Sequence, residues 1–349
     1  MATENGFNVA VVGATGAVGE QMLKTLEEKD FPIDSLKLLS SKRSAGKKLT
    51  FKGEEVVVEE ATPESFENVQ LALFSAGGSV SKKLAPEAVK RGALVVDNTS
   101  AFRMDEEVPL IVPEVNEEAL HEHKGIIANP NCSTIQMVVA LQPLRERYGL
   151  KKVIVSTYQA VSGAGLEAVD EMRQQSRDIL DGKPANPEVL PVGSDKKHYQ
   201  IAYNAVPQID VFQENGYTFE EMKMINETKK ILEDSSLAVA ATCVRLPVET
   251  GHSESVYVET EKKAASLEEF KKTMADGEGI TLQDDPSEQL YPMAVDSVGL
   301  PDVFVGRIRE DLDQENGYHL WVVSDNLVKG AAYNSVQIAE SLVKLGILK

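Results

Sequence analysis

The chain has 349 residues, 42% hydrophobic and 26% charged, a composition that excludes a disordered, collagenous or coiled-coil protein. Its net charge of −19 argues against nucleic-acid and anionic-membrane partners. The length predicts about two domains, and no metal is needed to stabilise a core of this size. Two cysteines, no basic leader and no apolar run of roughly 18 residues favour a cytoplasmic protein.

Strands and helices alternate over the first part of the chain. The predicted strands are 7–12, 36–39, 54–58, 71–74 and 94–96, with helices ending at Glu28 and over 79–91. Such alternation is typical of right-handed βαβ units in a mostly parallel sheet. The fold class predicted for this part is therefore α/β, with a Rossmann-type sheet.

The pattern changes near Pro130, where long strands with alternating polarity suggest an antiparallel α+β domain. The predicted helices are 132–148, 166–181, 218–233 and 327–345, and the predicted strands are 153–158, 237–246, 254–260, 302–308 and 318–324. Residues 182–215 are rich in Pro, Asn and Gly and predict an extended excursion. We expect the last helix to return to the first domain, giving a cofactor domain of 1–130 plus 327–349 and a catalytic and dimerisation domain of 131–326.

Two loops of the first part predict a nucleotide site. Glycines at 13, 16 and 19 form a GxxGxxG turn between a strand and a helix, where backbone N–H groups can approach a pyrophosphate. The alternative is a plain strand-to-helix turn. The second strand ends in Ser40-Ser41-Lys42-Arg43 and lacks the carboxylate that would favour NAD, so the pattern favours binding of NADP. The alternative is a solvated basic loop that binds no cofactor.

One cysteine and one histidine stand out as candidate catalytic groups. Cys132 lies at the predicted start of a long helix, where the helix dipole favours a thiolate, and Asn131 precedes it as a cap-type residue. Cys243 lies in an apolar strand and is interpreted as a buried side chain that packs as a small hydrophobic residue. Of the five histidines, His252 follows a glycine turn between two strands and is the best candidate base, with a structural histidine as the alternative.

Six motifs in order carry a resemblance over essentially the whole chain: GATGAVG, NPNCST, TYQAVSGAG, EEMK, VRLPVETGHSES and DNLVKGAA. Together they resemble the bacterial type of aspartate-β-semialdehyde dehydrogenase. The resemblance implies NADPH-dependent reduction of aspartyl phosphate through a cysteine-bound thioacyl intermediate. It also implies a homodimer or homotetramer in the biosynthesis of lysine and diaminopimelate, threonine, methionine and isoleucine.

The same resemblance assigns roles to individual residues. It makes Cys132 the nucleophile, His252 the general acid/base and Gln159 the residue that orients the thioacyl group. It places Arg103, Asn131 and Lys223 with the substrate and its phosphate, Glu220 with the ammonium and Arg245 with the α-carboxylate. The cofactor contacts that we expect are Gly13, Thr15, Gly16, Ala17, Val18, Gly19, Ser40, Ser41, Arg43, Ser75, Ser162, Gly163 and Asn326.

Three other functions remain open from the sequence. A reductase acting on N-acetyl-glutamyl phosphate would share the Cys132 and His252 chemistry but would not need Glu220 for a free ammonium. A coenzyme-A-acylating aldehyde dehydrogenase would not need the cations Arg103 and Lys223. A non-catalytic NADP-sensing protein would not need Cys132, Gln159 and His252 together.

Overall fold

The computed structural model describes residues 6–349, which form two compact units, one of residues 6–131 with 330–349 and one of residues 132–329. The strands are β1 Phe7–Val12, β2 Ile33–Ser40, β3 Lys48–Phe51, β4 Glu54–Glu60, β5 Leu71–Phe74, β6 Leu94–Asp97, β7 Ile126–Ala128, β8 Leu150–Gln159, β9 Ala238–Arg245, β10 His252–Thr260, β11 Ile280–Leu282, β12 Val303–Glu310 and β13 Gly317–Ser324. The helices are α1 Ala17–Glu28, α2 Gly78–Lys90, α3 Pro113–Asn116, α4 Cys132–Tyr148, α5 Leu166–Leu180, α6 Phe219–Ile231, α7 Leu267–Ala275, α8 Ala294–Ser297 and α9 Tyr333–Lys344.

The first unit contains a seven-stranded sheet in the order β3-β4-β2-β1-β5-β6-β7. All neighbouring pairs are parallel except β3 and β4, so the prediction of a mostly parallel, Rossmann-type sheet is confirmed. The sequence analysis missed β3, which is a four-residue edge strand. It is joined to β4 by a tight turn at Lys52 and Gly53, both with positive φ.

Helices cover both faces of this sheet because alternate residues of β1 point to opposite sides. Val9 and Val11 belong to one buried cluster, which includes residues of α1 and α9. Ala10 and Val12 belong to the other, which includes residues of α2. The predicted return of the last helix to the first unit is therefore confirmed, although this helix begins with a π-helical turn at Val328–Ala332.

The second unit contains a six-stranded sheet in the order β11-β12-β13-β10-β8-β9. Strand β10 is antiparallel to both of its neighbours, β8 and β13. The expectation of antiparallel strands is wrong for β9, which runs parallel to β8. The sequence analysis did not predict β11, which runs parallel to β12. Alternating polarity fixes which side chains share a face of a strand but carries no information on strand direction.

One face of this sheet contacts α4, α6 and α7. The other face retains partly exposed side chains on alternate positions of β8, among them Ile154 and Tyr158. Within residues 6–349 no helix is both long enough and apolar enough to cross a membrane.

The described residues between α5 and α6 form no helix or strand, as the composition of 182–215 predicts. Two side chains of α5 fix this excursion to its own unit. The Glu171 carboxylate accepts hydrogen bonds from the N–H groups of Glu188, Val189 and Leu190 at 2.6, 2.6 and 3.3 Å. The Gln175 carbonyl accepts from Ile201 and Ala202, at 2.8 and 3.1 Å.

Candidate active site

A cavity of about 660 Å³ lies in the first unit at the carboxyl ends of β1 and β2. Parallel α/β sheets bind ligands at this edge. Seven of the predicted cofactor residues line it, namely Gly13, Thr15, Gly16, Ser40, Ser41, Arg43 and Ser75. Ala17, Val18 and Gly19 are not among the lining residues and instead form the first turn of α1.

The glycines of the turn are required by close backbone approaches. Gly13 has φ of +87°, and a Cβ there would lie 2.8 Å from the Ala76 nitrogen. A Cβ at Gly19 would lie 2.2 Å from the Gly13 carbonyl oxygen, so this glycine lets α1 pack directly on the turn. Within the described residues no side chain caps α1 at Gly16, and the N–H groups at an uncapped helix start are suited to bind a phosphate.

The cavity is lined by hydroxyl and cationic side chains, which suits a phosphorylated ribose. Thr15 Oγ1 lies 3.0 Å from Ser40 Oγ and 3.4 Å from Ser44 Oγ. Lys42 and Arg43 line the same cavity. The structure adds residues that sequence reasoning missed, because no local motif marks them: Glu60 at the end of β4, and Ser79 and Lys83 on α2.

The two cysteines lie in contrasting environments in the second unit. Cys132 is the first residue of the 17-residue helix α4 and is partly exposed. Cys243 is buried on β9, and this burial raises the pKa of its thiol far above the usual value. Because the thiolate is the nucleophilic form and a helix N-terminus favours it, Cys132 is the candidate nucleophile.

A buried polar cluster joins three elements of the second unit. Gln159, at the end of β8, donates from Nε2 to Glu220 Oε1 on α6 at 3.1 Å. The other Glu220 oxygen accepts from Lys223 Nζ at 3.2 Å, as the i, i+3 spacing on one helix predicts. Lys223 also pairs with Asp210 of the excursion at 2.9 Å, a partner that the sequence analysis missed. Glu220 is only 4% exposed, so its charge is compensated inside the protein.

The peptide unit of Ala160 holds two further candidate residues in place. Its N–H donates to His252 Nδ1 at 3.1 Å, and its carbonyl accepts from Arg245 Nη1 at 2.7 Å. A Cβ at Gly163 would lie 3.0 Å from Arg245 Nη1 and 3.3 Å from His252 Nε2, so the glycine leaves room for both. Gln159, Ala160 and Gly163 all belong to the TYQAVSGAG motif, which thus shapes this site.

Burial sets the electrostatics of this pair. Burial, together with the neighbouring Arg245 guanidinium, lowers the pKa of His252 to about 3, so the imidazole is neutral near pH 7. Burial also lowers the pKa of Arg245, whereas the negative charges of Glu220 and Cys132 act to raise it. Within the described residues His252 Nε2 has no hydrogen-bond partner, although it is buried.

The remaining predicted residues have structural partners of their own. Arg103, in the first unit, donates from Nε to the Asn129 carbonyl and from Nη2 to the Asn98 carbonyl, both at 2.9 Å. Asn131 is buried and directly precedes α4. In the second unit Asn326 donates to Ser162 Oγ at 3.0 Å and accepts from the Gly251 N–H at 2.9 Å, so it supports the turn before His252.

Family models match both halves of the chain. Residues 8–123 match the NAD binding domain of semialdehyde dehydrogenase, and residues 141–329 match its dimerisation domain. The fold and these matches define the chain as a semialdehyde dehydrogenase, an oxidoreductase with a nucleotide-binding domain.

Comparison with individual relatives identifies the family within this class. The chain is 71% identical to the aspartate-semialdehyde dehydrogenase of Bacillus subtilis, over 98% of this chain and 99% of the relative. It is 48% identical, with a TM-score of 0.92, to aspartate semialdehyde dehydrogenase II of Vibrio cholerae complexed with ASA, covering 98% of this chain and 99% of that one. A Candida albicans aspartate semialdehyde dehydrogenase with NADP is 28% identical, with a TM-score of 0.73, over 97% and 98% of the two chains. The chain belongs to the aspartate-semialdehyde dehydrogenase family.

Proposed function

We propose that this protein uses NADPH to convert L-4-aspartyl phosphate into L-aspartate 4-semialdehyde, reversibly and through a thioester on Cys132. One observation carries the proposal: the second unit combines a helix-start thiol with a cluster of two cations and one anion, Lys223, Arg245 and Glu220, of which Arg245 and Glu220 are buried. A substrate that carries a phosphate, a carboxylate and an ammonium needs such a mixture of cations and one anion. The product would serve synthesis of lysine and diaminopimelate, threonine, methionine and isoleucine.

The first unit would hold the cofactor. The turn at Gly13 and the first N–H groups of α1 fit its pyrophosphate, and Ser40, Ser41 and Arg43 fit the 2′-phosphate of NADP. The relative from Candida albicans was solved with NADP, which supports the same choice here. When bound, NADPH supplies the hydride.

The substrate groups would be divided among the charged side chains. Arg245 binds the α-carboxylate, Arg103 and Lys223 the phosphate, and Glu220 the ammonium. Glu220 accepts from Gln159 at one oxygen and from Lys223 at the other, so its carboxylate is held in a fixed orientation in the cluster. This buried anion favours a free ammonium over the acylated nitrogen of N-acetyl-glutamyl phosphate.

The chemistry would then proceed at Cys132. The thiolate attacks the acyl phosphate carbonyl, the bond to phosphate breaks, and a thioester forms. The thioester carbon accepts a hydride, and the resulting tetrahedral oxyanion collapses to the aldehyde and the free thiolate. Gln159 orients the acyl group, N–H groups at the start of α4 stabilise the oxyanion, and His252 serves as the acid/base group beside it.

The second unit would also form the homodimer, in keeping with its match to a dimerisation domain. The partly exposed face of its sheet, with Ile154 40% exposed, is the surface that we assign to this contact. Ile154→Asp should therefore shift the sedimentation coefficient towards the monomer, whereas an unchanged oligomer, dimer or tetramer, would place the interface elsewhere.

A spectrophotometric assay tests the function directly. The purified protein should form NADPH from NADP and aspartate semialdehyde only when phosphate is present, because phosphate must release the acyl group from Cys132. Turnover without phosphate would point to hydrolysis, and turnover with coenzyme A in its place would point to an acylating dehydrogenase. Tight NADP binding without any turnover would point to a sensing protein.

A further inference from the structure

We propose that Gln136, a buried amide on α4 that Ser324 orients, is a positioning residue that holds Cys132 and His252 at a fixed separation. It joins the helix turn that follows Cys132 to the first residue of β10, which is His252. The catalytic roles of Cys132 and His252 rest on the proposed function, whereas the connection between α4 and β10 rests on geometry alone. Gln136 acts through these two residues and does not contact the substrate.

A buried amide is unexpected at this position of α4. Gln136 is fully buried, and its neighbours in the sequence, Ile135, Met137, Val138 and Val139, are buried and apolar. Burial of an amide costs free energy unless its hydrogen bonds are replaced, and an apolar side chain in the same place would carry no such cost. A polar residue here therefore indicates specific partners.

The amide of Gln136 has partners on two strands. Its Nε2 donates to the carbonyl oxygen of His252 at 3.3 Å and, more weakly, to that of Val322 at 3.5 Å. Its Oε1 accepts from Ser324 Oγ at 3.0 Å. Because backbone carbonyls can only accept, Nε2 must face them, and the Ser324 hydroxyl is then the donor to Oε1. The orientation of the amide is therefore fixed by the groups on both of its sides.

These partners lie where the two strands end. His252 is the first residue of β10, and it is paired with Ser324, the last residue of β13. The ends of secondary-structure elements open at a lower free energy than their centres, so a hydrogen bond to the His252 carbonyl restrains the residue where it is needed. The imidazole ring is held separately by the Ala160 N–H, which donates to Nδ1 at 3.1 Å. Gln136 thus fixes the backbone of His252, and Ala160 fixes its ring.

The same helix carries the thiol one turn earlier. Cys132 and Gln136 are four residues apart on α4, so their side chains share one face of the helix. The contacts of Gln136 show that this face is turned towards β10 and β13. The hydrogen bond to His252 therefore also fixes the thiol relative to the imidazole. Misplacement of reacting groups by roughly 1 Å can lower a rate about 100-fold, so this restraint bears directly on turnover.

Hydrogen–deuterium exchange tests the connection without turnover. Gln136→Met keeps a long unbranched side chain but loses the amide. The peptide at the start of β10 should then exchange about 2- to 10-fold faster, the range for loss of one hydrogen bond. Gln142→Met is the matched control, because Gln142 lies further along α4 and donates to Glu146 of the same helix at 2.9 Å.

Unchanged exchange at the start of β10 in Gln136→Met would overturn the proposal, whatever the activity of the protein. Faster exchange in this variant, combined with a wild type that does not turn over aspartate semialdehyde, would support the connection and refute the proposed function. The two failures are therefore distinguishable.

Steady-state kinetics test the consequence for the reaction. Gln136→Met should lower kcat for aspartate semialdehyde by about 10- to 100-fold, while the KM values for NADP and for the aldehyde change by less than about twofold. Gln142→Met should retain the kcat of the wild type. An unchanged kcat in Gln136→Met, or a loss that the KM values share, would assign the amide to general stability and overturn the proposal.

A second variant keeps the proposal testable if Gln136→Met does not fold. Ser324→Ala removes the hydroxyl that orients the amide and leaves the amide itself in place, so kcat should fall by a smaller factor of about 2- to 10-fold. If both residues act through one contact, the double variant should lose no more kcat than Gln136→Met alone. Independent, additive losses, or the kcat of the wild type in Ser324→Ala, would overturn the proposal.

Discussion

The nucleotide cavity of the first unit and the polar cluster of the second are built in different ways. The cavity consists of a glycine turn and side chains from three further short segments, residues 40–44, 60–61 and 75–84. The cluster consists of the Gln159 amide on β8 and of charged side chains from β9, α6 and the excursion, of which Arg245 and Glu220 are buried. Backbone donors suit a phosphate that must bind and leave, whereas buried charges suit discrimination among small substrates, because an unmatched buried group costs free energy.

The largest expected effect is at the nucleophile. Cys132→Ala should lower kcat by roughly 10⁴-fold or more, the scale for loss of a covalent nucleophile, while NADP binding measured by calorimetry is unchanged. Cys243→Ala is the matched control and should retain turnover, because that thiol is buried filler. Substantial turnover in the first variant would remove Cys132 from the mechanism.

The second effect tests discrimination by the buried cluster. Glu220→Gln should lower kcat/KM for aspartate semialdehyde by about 10- to 100-fold, the range for a hydrogen bond to a charged group, and barely change it for succinate semialdehyde. Arg245→Ala should impair both substrates, since each has a carboxylate. An equal loss for both substrates in Glu220→Gln would mean that this carboxylate orders the site generally.

The third effect tests the glycine turn, where two positions of one motif predict different outcomes. Gly13→Ala should weaken NADP binding by about 1–3 kcal/mol, because a Cβ at φ of +87° is strained and lies 2.8 Å from backbone. Gly16→Ala should be milder, because its added Cβ meets only the Gly13 carbonyl oxygen at 3.4 Å. Equal affinities in both variants would show that the turn does not shape the site.

The fourth effect concerns the exposed cations of the cavity. Arg43→Ala should raise KM for NADP by an amount equivalent to about 1–3 kcal/mol and leave the use of NAD nearly unchanged. Lys47, which follows in the same loop but does not line the cavity, provides the control substitution to Ala. An equal loss with both cofactors would place the 2′-phosphate site elsewhere.

The smallest effect is on stability and concerns two buried groups of β10. Burial raises the pKa of Glu254 well above 4.5, so the folded state binds this proton more tightly, and stability falls as pH rises above 4.5. His252, whose pKa is lowered to about 3, has the opposite sign and costs stability as pH falls below 6.5. Relative to Glu254→Gln, the wild type should lose about 1.4 kcal/mol of stability per pH unit between pH 4.5 and the folded-state pKa of Glu254, as measured by urea denaturation. A decline that persists in the variant would assign it to another group.

Local chemistry was predictable from the sequence, and long-range placement was not. The start of α4 at Cys132 and the position of His252 after Gly251 follow from helix dipole and turn signals, and both appear in the structure. The pairing of Asp210 with Lys223 gives no local signal, because it depends on where the excursion crosses α6. The same holds for Lys83, and for the parallel direction of β9.

The excursion between α5 and α6 bears on the temperature at which the protein loses activity. It is held mainly by side chains of α5 and contributes Asp210 to Lys223 and a backbone bridge from Val206 to Arg245. Segments without regular secondary structure open at a lower free energy than sheets. Local unfolding of the excursion would remove Asp210 and Val206 from the polar cluster while both sheets remain folded. Enzymatic activity should therefore be lost at a lower temperature than the circular dichroism signal of the sheets. The excursion would then set the upper temperature limit of activity.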